Sequence, residues 1–192
     1  MYKKYLFPIQ LFLILEKVNV NLFTSKKQNL NNYNIFLNYK YLIMINYLLK
    51  NELFLNNSML IENSAVDLKY YNNLDEKFFF FFNKYKTIIF YNYLNLTTKT
   101  KLFFYFFLPN NFNYSINSID RIFFSANWLE RETSEMYGIF FSNKKDHRKL
   151  LLDYSSFENP LLKDFPLEGN KQVFFSFFEN QVIVQNNKFI EI

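Results

Sequence analysis

Both glycines of this 192-residue chain, Gly138 and Gly169, fall within one stretch, Asn127–Gly169, which also holds Pro160 and Pro166, two of its four prolines. Elsewhere Phe, Tyr, Asn, Lys, Ile and Leu mix almost monotonously. A stretch that escapes such a bias is one where side-chain identity matters. Asn127 with Glu130 three positions on has the spacing of a capping box, which predicts a helix over Trp128–Tyr137. Glu130 and Glu132 then fall in its first turn, where free N–H groups favour negative charge. Arg131 and Glu135 are four apart and are expected to pair on one face. Gly138 is placed to end the helix in the left-handed conformation that glycine adopts without penalty.

Beyond the helix lies a charge cluster, Lys144, Lys145, Asp146, His147, Arg148 and Lys149. It runs into Leu150, Leu151 and Leu152, read as a buried anchor that carries a basic patch. Pro160 and Pro166 bracket a segment expected to be an extended, rigid connector.

Scarcity excludes much chemistry. The absence of Cys rules out disulfides, thiolate-held iron–sulfur clusters and Cys-type zinc sites. A single His, His147, leaves no multi-His metal centre, and two Gly are too few for a P-loop or a G-x-G-x-x-G turn. No nucleotide, flavin or cluster is therefore expected on this chain itself. Glu130 and Glu132 are poor candidates for an acid/base pair, because positions i and i+2 of a helix point apart. His147 beside Asp146 lacks a Ser on a Gly-flanked elbow, so a surface His is the simpler reading.

The chain holds 27 Phe and 15 Tyr, and half of it is hydrophobic. A/T-rich codons explain most of that count, and surface covered by partners the rest. A net charge of +5 points to acidic partners, nucleic acid or an anionic membrane face. The Lys144–Lys149 cluster reads as a docking surface for an acidic neighbour before a solvated face or a phosphate or RNA site. The apolar run Tyr5–Leu15 is broken by Pro8 and Gln10 and is too short to span a bilayer. Neither a signal peptide nor an Arg- and Ser-rich transit peptide is read at the start.

Asn19–Asn34 reads as a linker, and Tyr39–Leu55 as a helix with Leu42, Ile45, Leu48 and Leu49 at helical spacing. Met59–Ile61 begins a sheet, and Phe78–Phe82, Thr87–Leu94 and Lys101–Leu108 continue it as an antiparallel meander. The Phe78–Phe82 run suits a core strand better than a base-stacking platform. Ile116–Phe124 is expected as a second helix capped by Ser115. Val173–Phe178 and Gln181–Gln185 flank Glu179-Asn180 as a hairpin. The expected fold is α+β, a two-layer domain with a mostly antiparallel sheet of four or five strands on helices. An N-terminal extension and linker would occupy residues 1–38, the domain 39–168, and an extended C-terminal arm 169–192.

Glu130-Arg131-Glu132-x-x-Glu135-Met136-Tyr137-Gly138, then Lys144-x-x-x-Arg148-x-Leu150-Leu151, then Lys163-Asp164-Phe165-Pro166-Leu167, closely resemble three motifs of one family. Ser64-Ala65-Val66-Asp67 resembles the segment that precedes its strands. The family is the thirty-kilodalton-type subunit of respiratory complex I, present in the bacterial enzymes and called subunit 9 when mitochondrially encoded. The resemblance runs from about Leu60 to Gly169. It departs from the family's usual pattern at Lys144-Lys145, at Glu158–Leu162 and at Glu135, where Asp is usual. It implies a non-catalytic core subunit in the peripheral arm of the proton-translocating NADH:ubiquinone oxidoreductase, enzymatic only as part of that complex. It also implies packing against the forty-nine-kilodalton-type quinone-pocket subunit, near the one that carries the last iron–sulfur cluster. NADH, FMN, iron–sulfur clusters and ubiquinone would belong to the assembled complex, on the matrix side of the mitochondrial inner membrane. Arg148, Lys149, Lys163, Asp164 and Phe165 become the expected partner interface. The alternative is a basic RNA-binding structural protein, such as an organellar ribosomal subunit.

Overall fold

The computed structural model describes residues 23–25, 32–51, 58–69, 85–97, 99–109 and 115–187. The expected strand Phe78–Phe82 and the N-terminal run Tyr5–Leu15 lie outside them. Among the described residues the central element is a five-stranded sheet in the order β1-β2-β5-β4-β3. Its strands are β1 (Phe23–Ser25), β2 (Asn32–Asn38), β3 (Ser58–Asp67), β4 (Tyr85–Asn95) and β5 (Thr100–Pro109). The β3–β4–β5 meander is antiparallel throughout, and Thr87–Leu94 pairs with Lys101–Leu108 as expected, but the other neighbour of β4 is β3, not the Phe78–Phe82 run. Strand β2 pairs with β5 in parallel, Asn32 opposite Lys101 through Asn38 opposite Phe107. The stretch read as a linker therefore ends inside a strand. The strand's three Asn hid the pattern, yet Ile35 and Leu37 alternate into the core.

One face of the sheet carries Ile35, Leu37, Leu60, Ala65, Ile89, Tyr91, Tyr93, Leu102, Phe104 and Phe106, all buried. Two helices cover it, α1 (Leu42–Asn51) after a 3-10 turn at Tyr39–Tyr41, and α2 (Ala126–Tyr137). Helix α1 buries Leu42, Ile45 and Leu49, while Leu48 is only half-buried. The α1 face also buries Asn46, whose amide donates to Leu42 O at 2.7 Å and accepts from the Tyr93 hydroxyl. A polar pair inside an apolar core is tolerated because each partner satisfies the other. The opposite face of the sheet is half-covered by stacked rings, Phe36 on Tyr105 at 4.8 Å among them. The expected two-layer α+β architecture is present.

Three expectations fail locally. Ile116–Phe124 is no helix: Ser115–Asn117 forms β6, parallel to β7 (Phe140–Ser142), and turns follow. Ile116, Ile119 and Phe123 are buried as their spacing implied, but the Asp120 N–H bonds the Ser118 hydroxyl, a local turn that competes with helix. Leu150, Leu151 and Leu152 are not a buried anchor, since Leu151 is exposed and its neighbours half-buried. The Pro160–Leu167 segment is not extended; it is chained turns, Leu162 N–H to Asn159 O and Phe165 N–H to Leu162 O. The C-terminal hairpin forms as expected, β8 (Lys171–Ser176) against β9 (Gln181–Asn186). No described helix is long and apolar enough to cross a membrane.

Candidate functional site: a helix that clamps a basic loop

Helix α2 packs against β3, and Thr133 fixes the contact, its hydroxyl within reach of both Asn63 O at 3.1 Å and Leu129 O at 2.9 Å. The helix begins one residue before Asn127, at Ala126, after Ser125. Asn127 is therefore inside it and caps nothing, and Glu130 and Glu132 lie past the first turn. The capping box and the dipole reading of these two acids are both wrong, because the helix starts early enough to put Asn127 inside it and both acids beyond its first turn.

Glu130 is buried. Its carboxylate accepts from the Ile119 N–H at 2.8 Å, the Ser118 hydroxyl at 2.5 Å and Lys144 Nζ at 3.1 Å. Burial pushes this carboxyl up from its ordinary value, and the Ile119, Ser118 and Lys144 contacts offset that only in part. Lys144 was read as part of a surface patch, but it is 7% exposed and its ammonium reaches inward to this acid. A left-handed Asn143 turns the chain so that Lys144 enters the core, a conformation Asn tolerates better than most residues.

Arg131 and Glu135 share a face four residues apart yet do not pair in the way their spacing suggested. Arg131 Nε donates to Arg148 O at 2.8 Å and Nη2 to Lys149 O at 3.2 Å, and Nη1 lies 3.4 Å from Asp146. Glu135 accepts the N–H groups of Leu150, Leu151 and Leu152. Burial alone would raise its carboxyl; the amides of Leu151, Leu150 and Leu152, with Lys149, outweigh that and hold it below the ordinary value. A donor-only guanidinium thus takes the loop's carbonyls and an acceptor-only carboxylate takes its amides. Glu132 stays on the exposed face and joins none of these bonds.

Gly138 ends the helix at φ 69°, and its N–H returns to Ser134 O at 2.9 Å, as the sequence predicted. A Cβ there would also stand 2.8 Å from the Asn159 amide, so space and backbone both require glycine. Leu161 N–H bonds Met136 O at 3.1 Å, tying the closing segment to the same helix end.

Arg131, Glu135, Asp146, His147, Arg148, Lys149 and Phe157 border an open groove of about 240 Å³. Arg148 is exposed and meets Asp146 through two bonds of 2.9 and 2.8 Å. The Arg148 hydrogen bonds hold the Asp146 carboxyl well below the usual carboxylate range. His147 stacks on Phe140, ring centres 5.3 Å apart, which fits the surface reading. Of the expected interface, Arg148 and Lys149 reach the groove, whereas Lys163, Asp164 and Phe165 do not line it. Lys163 N–H instead bonds Asp67, and Asp164 pairs with Lys69 at 2.5 Å, so they moor the closing segment to the end of β3. The sequence reading missed Thr133, Ser118 and Asn159, which belong to no charge pattern. Among the described residues no three His, Asp or Glu are placed to hold a metal.

The fold and the site define an α+β domain in which one helix fixes a loop through that loop's backbone carbonyls and amides. Residues 38–171 match the model of the respiratory-chain NADH dehydrogenase 30 Kd subunit, and the chain belongs to that family. It is 34% identical over 181 residues to NADH-ubiquinone oxidoreductase subunit 9 of Paramecium primaurelia, covering 94% of this chain and 85% of that one. A shorter match, 47% over 68 residues, links it to NADH dehydrogenase (ubiquinone) iron-sulfur protein 3 of Marchantia polymorpha, covering 35% of this chain and 35% of the plant one. The fold is shared with a trypsin-resistant fragment of Nqo5, at a TM-score of 0.55 and 17% identity, over 73% of this chain and 97% of the fragment. It is shared also with a chain of a membrane-bound sulfane sulfur reductase, at 0.64 and 16%, over 83% and 85%. Nothing in these likenesses supports the ribosomal alternative.

Proposed function

We propose that this chain is a scaffold of the peripheral arm of respiratory NADH:ubiquinone oxidoreductase, with no redox centre of its own. It lies on the matrix side of the mitochondrial inner membrane and holds the quinone-reducing module together. It docks there against the forty-nine-kilodalton-type subunit, beside the one that carries the last iron–sulfur cluster. The observation that carries this reading is the clamped loop, whose bonds to α2 run through backbone amides and carbonyls of residues 148–152. A loop fixed in that way holds Lys149, Leu151 and Phe157 in place before a partner arrives, which lowers the ordering cost of binding. Lys149 stands over the exposed Phe157 ring at 5.5 Å and Arg148 interacts with exposed Tyr154, apolar surface with a basic rim, which is the composition of a docking surface.

Charge reversal tests it. Because Arg148 is already engaged by Asp146, Arg148→Glu both repels an acidic partner and disturbs the loop. Lys149→Glu leaves the Arg148–Asp146 pair in place. Both variants are expected to deplete the native-gel band of intact, NADH-oxidising complex. Like charge across an interface costs several kcal/mol, against about 0.5 kcal/mol at a solvated surface. A full-strength band with Lys149→Glu overturns the docking role of this loop.

A further inference from the structure

The β8–β9 hairpin has one face that the described residues of this chain leave exposed. Cross-strand partners share a face of an antiparallel ribbon. Val173 stands opposite Val184 and Phe175 opposite Val182, with Phe177 edge-on to Phe175 at 5.3 Å. These five side chains are between 47% and 88% exposed. The reverse face carries Gln172 opposite Gln185 and Ser176 opposite Gln181 around Phe174 and Ile183. Between Gln172 and Gln185 the ribbon is thus apolar on one face and mainly polar on the other, the pattern of a sheet made to be covered on one side. An isolated two-stranded ribbon is at best marginally stable in water.

We propose that the Val173–Phe175–Phe177–Val182–Val184 face is a second docking surface, occupied by an uncharged apolar surface of a non-identical subunit of the same complex. The proposal rests on the reading of this chain as a subunit of that complex. Charge argues for such an occupant: the five-residue patch itself holds no ionisable side chain, Glu179 lies in the turn, and Lys171, opposite Asn186, stands at the open end of the same face. Nucleic acid and acidic protein surfaces find only that one cation, at the edge of the patch, to pair with. Area argues against a second copy. Side chains of this size and exposure offer roughly 500 Å², short of the roughly 800 Å² per partner of a stable interface. The ribbon suffices only as an addition to another contact, which the loop face supplies within the complex and a bare dimer lacks. Adsorption to lipid draws on cations around the apolar face, and the ribbon's one Lys lies at the end away from the Phe177-Phe178 tip.

Two double variants of the full chain, each expressed in place of the wild type, decide the matter. Val173→Lys with Val184→Lys charges the apolar face; Gln172→Lys with Gln185→Lys adds the same charges, directly opposite each other, to the reverse face. The first is expected to lower incorporation into the native complex by roughly tenfold or more, the second to leave it unchanged. Thermal unfolding of the free chain should be alike for both. Equal incorporation of the two variants overturns the proposal. So does a fall in melting temperature confined to the valine pair, which would mean that this chain covers the face itself. A concentration-dependent dimer of the free chain abolished by the valine pair would assign the face to a second copy. Flotation with neutral phosphatidylcholine vesicles abolished by Phe178→Ser would assign it to lipid. Val184→Thr, which keeps strand propensity and nearly the same volume, should lower incorporation partially and guards against a misfolded double variant. Wild-type chain missing from the complex would instead sink the subunit reading itself.

Discussion

Replacing Lys144 by Met tests whether the Glu130–Lys144 pair is the fixed point of the clamp. Both side chains are almost fully withdrawn from water, and the carboxylate has two further donors, Ser118 and the Ile119 amide. Removing one partner of such a pair leaves an uncompensated buried charge, at a cost of about 3–5 kcal/mol. In a domain of this size each kcal/mol shifts the melting temperature by roughly 2–4 °C, so a fall of roughly 6–20 °C is expected. The pH dependence is more diagnostic than the size. Burial already raises the Glu130 carboxyl, and loss of the cation raises it further. The folded chain then holds this proton more tightly than the unfolded chain, whose Glu titrates near 4.5. Stability contributed by the protonated form is complete below that value and is lost as pH rises through the folded-state one. The Lys144→Met deficit is therefore largest at pH 7 and shrinks toward pH 5. Adding Glu130→Gln should recover most of the loss, because a neutral amide still accepts from Ile119. Urea unfolding of the wild type, the two single variants and the double at pH 7 and pH 5 reads both effects. A deficit independent of pH, or a double variant no better than the single, refutes the buried-pair account.

Gly138→Val should destabilise the chain by about 1–2 kcal/mol or more, since it adds left-handed strain to a collision with Asn159, whereas Ser134→Ala should be nearly neutral; equal melting temperatures would contradict the cap. Glu135→Gln, which turns one carboxylate oxygen into a donor, should speed hydrogen exchange at Leu150–Leu152 by roughly tenfold. The Glu135 carboxyl sits below its ordinary value, so its contribution is present above the unfolded value near 4.5 and lost as pH falls through the folded one. That part of the acid sensitivity should vanish in Glu135→Gln, and an unchanged acid slope would count against it. The purified full chain should be colourless, and flavin or cluster absorbance in it would overturn the reading of a subunit without redox centres.

Where local pattern and tertiary demand agree, the sequence is legible. The meander β3–β5 is announced by β-branched and aromatic runs, and the Gly138 cap by the one residue type that suits it. Legibility fails where composition hides a pattern or a distant partner overrides one. Strand β2 is an edge-side strand with Asn at three of its seven positions, and only pairing with β5 makes it a strand. The Ile116–Phe124 segment has helical spacing of its buried residues, but its Ile119 amide is taken by Glu130 and its Asp120 amide by Ser118. Lys144 looks like one cation among several, and nothing local marks it as buried.

The signature on α2 had the right residues and the wrong geometry. Charges four apart on a helix are read as partners for each other, because an isolated helix offers them nothing better. In this protein the same spacing places Arg131 and Glu135 side by side against a loop whose backbone presents carbonyls to one and amides to the other. Pairing with each other would leave three amides and two carbonyls of that loop without these partners, and partly buried backbone groups are costly to leave so. The loop's backbone therefore wins both side chains. Its shape follows from bonds that every residue type but proline can make, so it does not depend on the side chains of Lys149 and Leu151.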